Sequence, residues 1–250
     1  MNVRNLFLIV LLASFAACKK DHNNPSQTVY GDPVALGNDS IRSFIQIDES
    51  GQPSSIGLLI GENALNGLPT DTVPGMPDYE YKVPLPQKIN IPTGVDHIEV
   101  DWNPFGHDPA PIYGVPHFDF HFYYISETEQ ASVIPGPDTI PVSPQYVPKD
   151  YISSGIAVPN MGTHWADTTA PEYHGVPFTA TFIYGFYHGD FSFVEPMITK
   201  AFLETHPDYS ASVKQPESFQ RSGYYATAYH AKYDAAKHQY TVMLSGLTKH

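Results

Sequence analysis

Apolar and polar positions alternate with a period of two through the readable segments of this chain, the pattern of strands that bury one face. Candidate strands run from Ile41 to Asp48, Ile56 to Gly61, Tyr79 to Val83, His97 to Trp102, Pro116 to Ile125, Phe178 to His188 and Phe191 to Glu195. Each is rich in β-branched or aromatic residues and bounded by Gly, Pro or Asp. Near the C-terminus Tyr225, Thr227, Tyr229, Ala231 and Tyr233 share one face, and alternation resumes after Lys237 with Tyr240, Val242 and Leu244. That pattern predicts a hairpin, with a helix between Ala226 and His238 as the alternative that the alanines allow. One helix is predicted from Pro196, a residue favoured at the first helical position, through Leu203, ending before Pro207. The Pro- and Ser-rich stretch from Ser126 to Pro159 reads as a long loop, either a cover over a site or a passive excursion. Twenty-four prolines break the chain into short pieces, which disfavours long helices. The predicted fold class is all-β, a single antiparallel barrel or sandwich with long Pro-rich loops and one or two short helices.

The first residues follow a different logic. Arg4, the apolar run Leu6 to Ala17 and the small residues Ala16-Ala17 before Cys18 read as a processing signal. The run is too short to span a bilayer, which takes about 20 apolar residues. Cys18 is the only cysteine, so no internal disulfide can form. Small residues followed by Cys18-Lys19-Lys20-Asp21 look like a bacterial lipoprotein signal, in which the cysteine is lipidated and becomes the mature N-terminus. Phe15 stands where leucine is usual, and an ordinary secretory signal is the alternative. The organisation expected is a signal peptide over 1–17, a flexible tether over 18–35 and a single β-rich domain over 36–250. The lipid would anchor the domain to a membrane, in the cell envelope outside the cytoplasm, at the periplasm or the outer membrane.

Charge changes the picture only by exclusion. The net charge of −13 becomes −14 once Arg4 is removed with the signal, which argues against nucleic acid as a partner. Acidity suits divalent cations, and it suits plain solubility equally well.

Candidate chemistry concentrates in His117-Phe118-Asp119-Phe120-His121-Phe122. On a strand, His117, Asp119 and His121 share one face and the phenylalanines the other. Imidazole and carboxylate are the ligands for zinc, manganese or iron when thiolates are absent. Spacing limits their cooperation, because His117 and Asp119 lie about 6.6 Å apart at Cα, as do Asp119 and His121, whereas His117 and His121 lie about 13 Å apart. Adjacent pairs can converge on one ion, while the outer pair cannot easily do so. Further ligands are expected from His107, His164 and Glu195, the last sharing a strand face with Phe191 and Phe193 and therefore needing a partner if buried. The candidate metal ligands are thus His107, His117, Asp119, His121, His164 and Glu195, with Asp119 and Glu195 as candidate proton carriers. His174 and His188, beside glycines, read as turn residues. No Gly-x-Ser-x-Gly, His-Glu-x-x-His or P-loop motif occurs, which removes the serine hydrolase, zincin and nucleotide-binding readings.

Four motifs in order, Asn103-Pro104-x-Gly106-His107, Gly114-Val115-Pro116-His117 through Tyr123, Met161-Gly162-x-His164-Trp165 and Glu195-Pro196 through Leu203, give the chain a resemblance to an uncharacterised bacterial domain family. Its founding member comes from a sigma-E-controlled operon of Thermus. The resemblance covers about Trp102 to Leu203. It implies a β-rich secreted or lipoprotein domain, in an oligomer, and carries no activity. The His-x-Asp-x-His spacing is also loosely similar to the strand histidines of cupins and α-type carbonic anhydrases, from which the central aspartate departs. Three functions follow. The first is a lipid-anchored domain holding a divalent metal, as a hydrolase or lyase. The second is a non-catalytic module for a small molecule or metal. The third is an envelope structural protein whose His/Asp face is a contact in a homo-oligomer.

Overall fold

The computed structural model describes residues 25–71, 79–87 and 91–250. The signal segment and Cys18 lie outside the described residues. In chain order the first strands are β1 (Gln27–Tyr30), β2 (Val34–Leu36), β3 (Asp39–Ile47), β4 (Pro53–Gly61), β5 (Tyr79–Val83), β6 (His97–Asn103), β7 (His117–Tyr123) and β8 (Gly136–Pro137). They are followed by β9 (Tyr151–Val158), β10 (Gly162–Asp167), β11 (Ala180–Tyr187), β12 (Asp190–Thr199), β13 (Asp208–Ser212), β14 (Tyr224–Tyr225), β15 (Ala228–Asp234), β16 (Gln239–Ser245) and β17 (Thr248–Lys249). Short helices are α1 (Ala110–Tyr113), α2 (Glu127–Ala131) and α3 (Lys200–Leu203). One large sheet has the order β1-β3-β4-β16-β15-β13 with β2 also on β3; the other runs β5-β6-β7-β12-β11-β10-β9-β8. The paired strands are antiparallel in both.

Neither sheet closes on itself, since β1 and β13 end one and β5 and β8 end the other. The barrel alternative is therefore not what forms. Alternation sends Ile41 and Ile45 of β3, Leu58 of β4 and Val242 of β16 into the same buried cluster as Val100 of β6, Phe118, Phe120 and Phe122 of β7, and Phe182 of β11. The two sheets thus share one core. Burying each of those phenylalanines contributes about 1.5–3 kcal/mol relative to leaving it in water.

Four expectations are corrected. The tether expected over 18–35 is shorter, because Gln27–Tyr30 pairs with β3 and buries Val29. The helix starts at Lys200 rather than Pro196, with the Thr199 side chain accepting from the Phe202 N–H as its N-cap. Residues 196–198 extend β12 instead, where Pro196 lies opposite Phe182 of β11. The β7 ladder skips Glu195 and Pro196 and resumes at Met197 in the same register, as a residue without an N–H requires. Ser126 to Pro159 is not a plain loop, since it carries α2, β8 and β9. The C-terminal segment is the hairpin β15–β16, not the alternative helix, but Tyr225 belongs to β14, paired with β17.

The other face of β7 positions the site. His117, Asp119, His121 and Tyr123 point away from the shared core, yet every β7 residue is buried. A second, smaller cluster covers them, built from Tyr113 of α1, Phe178, Ile183, Phe193 and Met197. This side of the sheet is therefore polar side chains under an apolar lid.

Candidate metal centre

The six expected ligands resolve into two groups of three, His107 with His117 and Asp119, and His121 with His164 and Glu195. Within each group the ligand atoms lie within 4.8 Å of one another. His117 and Asp119 converge, as their spacing allows, whereas His121 turns to the second group.

In the first group His107 Nε2 is 3.3 Å from Asp119 Oδ2 and His117 Nε2 is 3.2 Å from Asp119 Oδ1. The Asn103 side-chain amide donates to Asp119 Oδ2 at 2.7 Å. His107 reaches this point because the chain turns sharply after β6. Gly106 adopts a φ of +68°, and a Cβ there would meet the Tyr113 carbonyl at 2.1 Å. Only glycine fits both demands. The turn is closed by the His107 N–H donating to that same carbonyl at 3.2 Å.

In the second group His121 Nε2 is 3.7 Å and His164 Nε2 is 3.4 Å from Glu195 Oε2. Glu195 reaches this face through a bulge. β12 shifts register against β11 between Gly185 and Phe186, so two residues of β12 oppose one and the side-chain alternation changes phase. Phe191 enters the shared core and Phe193 the outer cluster. Glu195 therefore shares its face with Phe193 but not with Phe191, correcting the expected trio. The Phe193 ring packs against both imidazoles, 4.9 Å from that of His121 and 5.2 Å from that of His164, which are 6.2 Å from each other.

Tautomers are set from outside. His107 Nδ1 lies 2.8 Å from the Asp108 carbonyl and His117 Nδ1 lies 2.6 Å from the Val115 carbonyl. A carbonyl only accepts, so each Nδ1 carries hydrogen and each Nε2 offers a lone pair in the neutral ring. His121 Nδ1 has Asp101 Oδ2 at 3.5 Å, an ion-pair distance and not a hydrogen bond, and its Nε2 faces Glu195 Oε2 at 3.7 Å. His117 Nε2, Asp119 Oδ1 and both His121 ring nitrogens are buried and make no hydrogen bond.

Burial resists charge on Asp119, but the positive field of His117 and the contacts from His107 and His117 outweigh it and hold the carboxyl well below the ordinary range. Burial pushes the His121 imidazole down to about 3, with Asp119 opposing and His164 adding to the effect. His164 is pushed down to about 4 by burial and then by the neighbouring charge of His107. Both rings of the second group are thus neutral at neutral pH, the form that binds metal.

Three more polar residues share this face. Pairing places Glu99 opposite His121, Asp101 opposite Asp119 and Asn103 opposite His117, all three buried. Glu99 accepts from the Gln130 amide of α2 at 2.5 Å and meets Lys82 at 3.3 Å. These residues were not among the expected ligands. Their signal was the alternation His97, Glu99, Asp101, Asn103 against Ile98, Val100 and Trp102. Of the remaining histidines singled out, His188 occupies a tight turn at a φ of +51°, and His174 Nε2 contacts the Thr168 carbonyl at 3.0 Å. Neither belongs to the two groups of ligands.

A family model described as TTHB210-like, hypothetical protein TTHB210, matches residues 48–102. The match agrees with the resemblance to an uncharacterised family named after a Thermus protein. It spans β4 to most of β6, including Glu99 and Asp101, and lies upstream of the motifs between Trp102 and Leu203. No curated protein and no solved structure matches the chain.

Proposed function

We propose that this chain is a lipid-anchored, extracytoplasmic β-sandwich domain that binds divalent metal through His107, His117, Asp119, His121, His164 and Glu195, zinc before manganese or iron. One observation carries the reading. Two ligands about 2.0–2.1 Å from a tetrahedral ion stand about 3.3–3.4 Å apart, and the four imidazole-to-carboxylate separations are 3.2, 3.3, 3.4 and 3.7 Å. In the second group the rings of His121 and His164 are neutral, and a ring lone pair facing a carboxylate oxygen at 3.4–3.7 Å repels it unless a proton or a cation stands between them. Two imidazoles and a carboxylate leave a tetrahedral ion one position for water or substrate. A bound ion there supplies a Lewis acid and a water of lowered pKa, the chemistry of a hydrolase or lyase. The chain's own residues orient the rings through their Nδ1 atoms, exclude bulk water with Tyr113, Phe178 and Phe193, and leave His107 and His164 half-exposed as the approach from solvent.

Small residues before Cys18 and the charged residues after it support the lipid anchor. Metal-stripped full-length chain, dialysed against zinc, manganese or iron and analysed by mass spectrometry, should retain at least one equivalent. Retention below about a tenth of an equivalent for all three metals removes the reading.

A second reading is a module that holds metal without turnover. Its support is the complete burial of His117 and His121, both 0% exposed. A hydrolase and lyase screen on metal-loaded chain separates the two, with His121→Ala as control: loss of turnover favours the enzyme, loss of binding alone the module.

A further inference from the structure

The two groups of ligands differ in more than position. In the first, the carboxylate spreads both oxygens between its two imidazoles, Oδ2 toward His107 and Oδ1 toward His117. In the second, a single oxygen of Glu195 meets both rings. The ligand atoms of each set lie within 4.8 Å of one another, and the imidazole-to-carboxylate separations inside the sets, 3.2, 3.3, 3.4 and 3.7 Å, are close to the roughly 3.3–3.4 Å between ligands of one tetrahedral ion. The strand histidines of the two sets, His117 and His121, lie about 13 Å apart at Cα along β7, too far to serve one ion easily, and the ligand atoms that gather around each form separate groups. Geometry that makes one ion difficult to share makes two ions straightforward.

Asp101 stands between the two sets. Its Cα is paired with that of Asp119, in the first set, while its Oδ2 is 3.5 Å from Nδ1 of His121, in the second. A carboxylate on the far nitrogen of a ligating histidine fixes the ring and raises its basicity, and loss of such a partner typically costs 10–100-fold in metal affinity. The first set has no need of one, because backbone carbonyls already hold Nδ1 of His107 and His117.

We infer that the chain holds two divalent ions, one among His107, His117 and Asp119 and one among His121, His164 and Glu195, with Asp101 the positioning residue for His121 in the second. This rests on the metal-binding reading above and extends it from a single shared ion to two separate centres. The two buried carboxylates fit it physically. Asp119 and Glu195 lie on adjacent strands under one apolar cover, and one divalent charge at each compensates both without long-range pairing.

The test is a zinc titration of metal-stripped full-length chain, read by calorimetry and by metal content after dialysis. The variants are made at His107 and His164, whose side chains, 34% and 22% exposed, are the least buried of the six ligands, so His107→Ala and His164→Ala disturb packing least. The parent should bind two equivalents, and each variant should keep one. The double variant should keep none. Asp101→Asn should retain both ions but weaken one of them by about 10–100-fold, with the other unchanged. Asp101→Glu, which preserves the carboxylate, should restore part of the loss, a response that a merely structural residue would not give. Binding of one equivalent that either single variant abolishes overturns the two-centre inference and leaves metal binding intact. Binding of none overturns both. Equal weakening of the two ions by Asp101→Asn removes the positioning role.

Discussion

Gly185→Ala probes the second centre without touching a ligand. Gly185 lies opposite Phe193 in the β11–β12 ladder, and its backbone is ordinary strand, so alanine itself is conformationally welcome. The space is not. A methyl there would stand 2.2 Å from Phe193 Cε1 and 2.3 Å from Cδ1. Restoring an ordinary contact of about 3.4 Å moves the ring by roughly 1.2 Å in a close-packed site. Phe193 has imidazoles at 4.9 and 5.2 Å, so the ring retreats into His121 or His164 or tilts the strand. Overpacking of this kind costs about 1–3 kcal/mol. Replacing glycine in a compatible conformation returns about 0.4–1 kcal/mol through the unfolded chain. The clash wins, with a net loss of about 1–2 kcal/mol. Urea denaturation of metal-free protein should show the midpoint falling by about half a molar at unchanged slope. Zinc titration should show one ion weakened and the other intact. A variant as stable as the parent that binds both ions equally would refute the claim that Phe193 is a rigid wall against the second-centre imidazoles.

Four further outcomes are expected. Phe120→Ala empties a fully buried site in the shared core and should cost about 3–5 kcal/mol in chemical denaturation, a loss under about 1 kcal/mol arguing against a single shared core. Ser126→Ala removes the α2 capping box, in which the Ser126 side chain accepts from the Glu129 N–H and Glu129 accepts from the Ser126 N–H. It should cost about 0.5–2 kcal/mol, and an unchanged midpoint would mean that α2 needs no cap. The His230 ring bridges Ser210 Oγ and Ser245 Oγ, each at 2.6 Å, and burial, then the charge of Lys232, lowers its pKa from 6.5. The unfolded chain therefore takes the proton first as pH falls, and His230 withdraws stability below about pH 6.5, down through its folded pKa. His230→Gln should make stability less steep in that window than in the parent, and identical profiles would contradict the shift. Labelling cells with a radioactive fatty acid should mark the chain, and Cys18→Ala should abolish the label; label persisting in the variant would sink the anchor.

Period-two alternation was enough to read the architecture where one strand face is buried and the other is not. β3 and β16 were legible for that reason, whereas β7 is buried on both faces and was legible because its His and Asp residues alternate with phenylalanines. β9 was not, because five consecutive residues, from Ile152 through Ile156, are exposed on both of its faces, which leaves no alternation to detect. The helix start was misplaced because Pro196 carries a genuine helix signal that strand pairing with β11 overrides. Propensity is local, and the ladder is not.

The candidate site was legible along β7 and much less so across it. His-x-Asp-x-His announced a ligand-bearing face, yet the same alternation on β6, with Glu99, Asp101 and Asn103 opposite the trio, passed as an ordinary strand because it lacks the conspicuous histidines. Strand register is a property of two segments, and neither states it alone. The same holds for the bulge that gives Glu195 a different face from Phe191. What the spacing of β7 did contain was the constraint that His117 and His121 cannot easily serve one ion. As a limit on a single pocket, that constraint requires further ligands from His107, His164 and Glu195. With His107 and Asp119 gathered at one end, and His164 and Glu195 at the other, the same distance separates two sites that a single strand supplies.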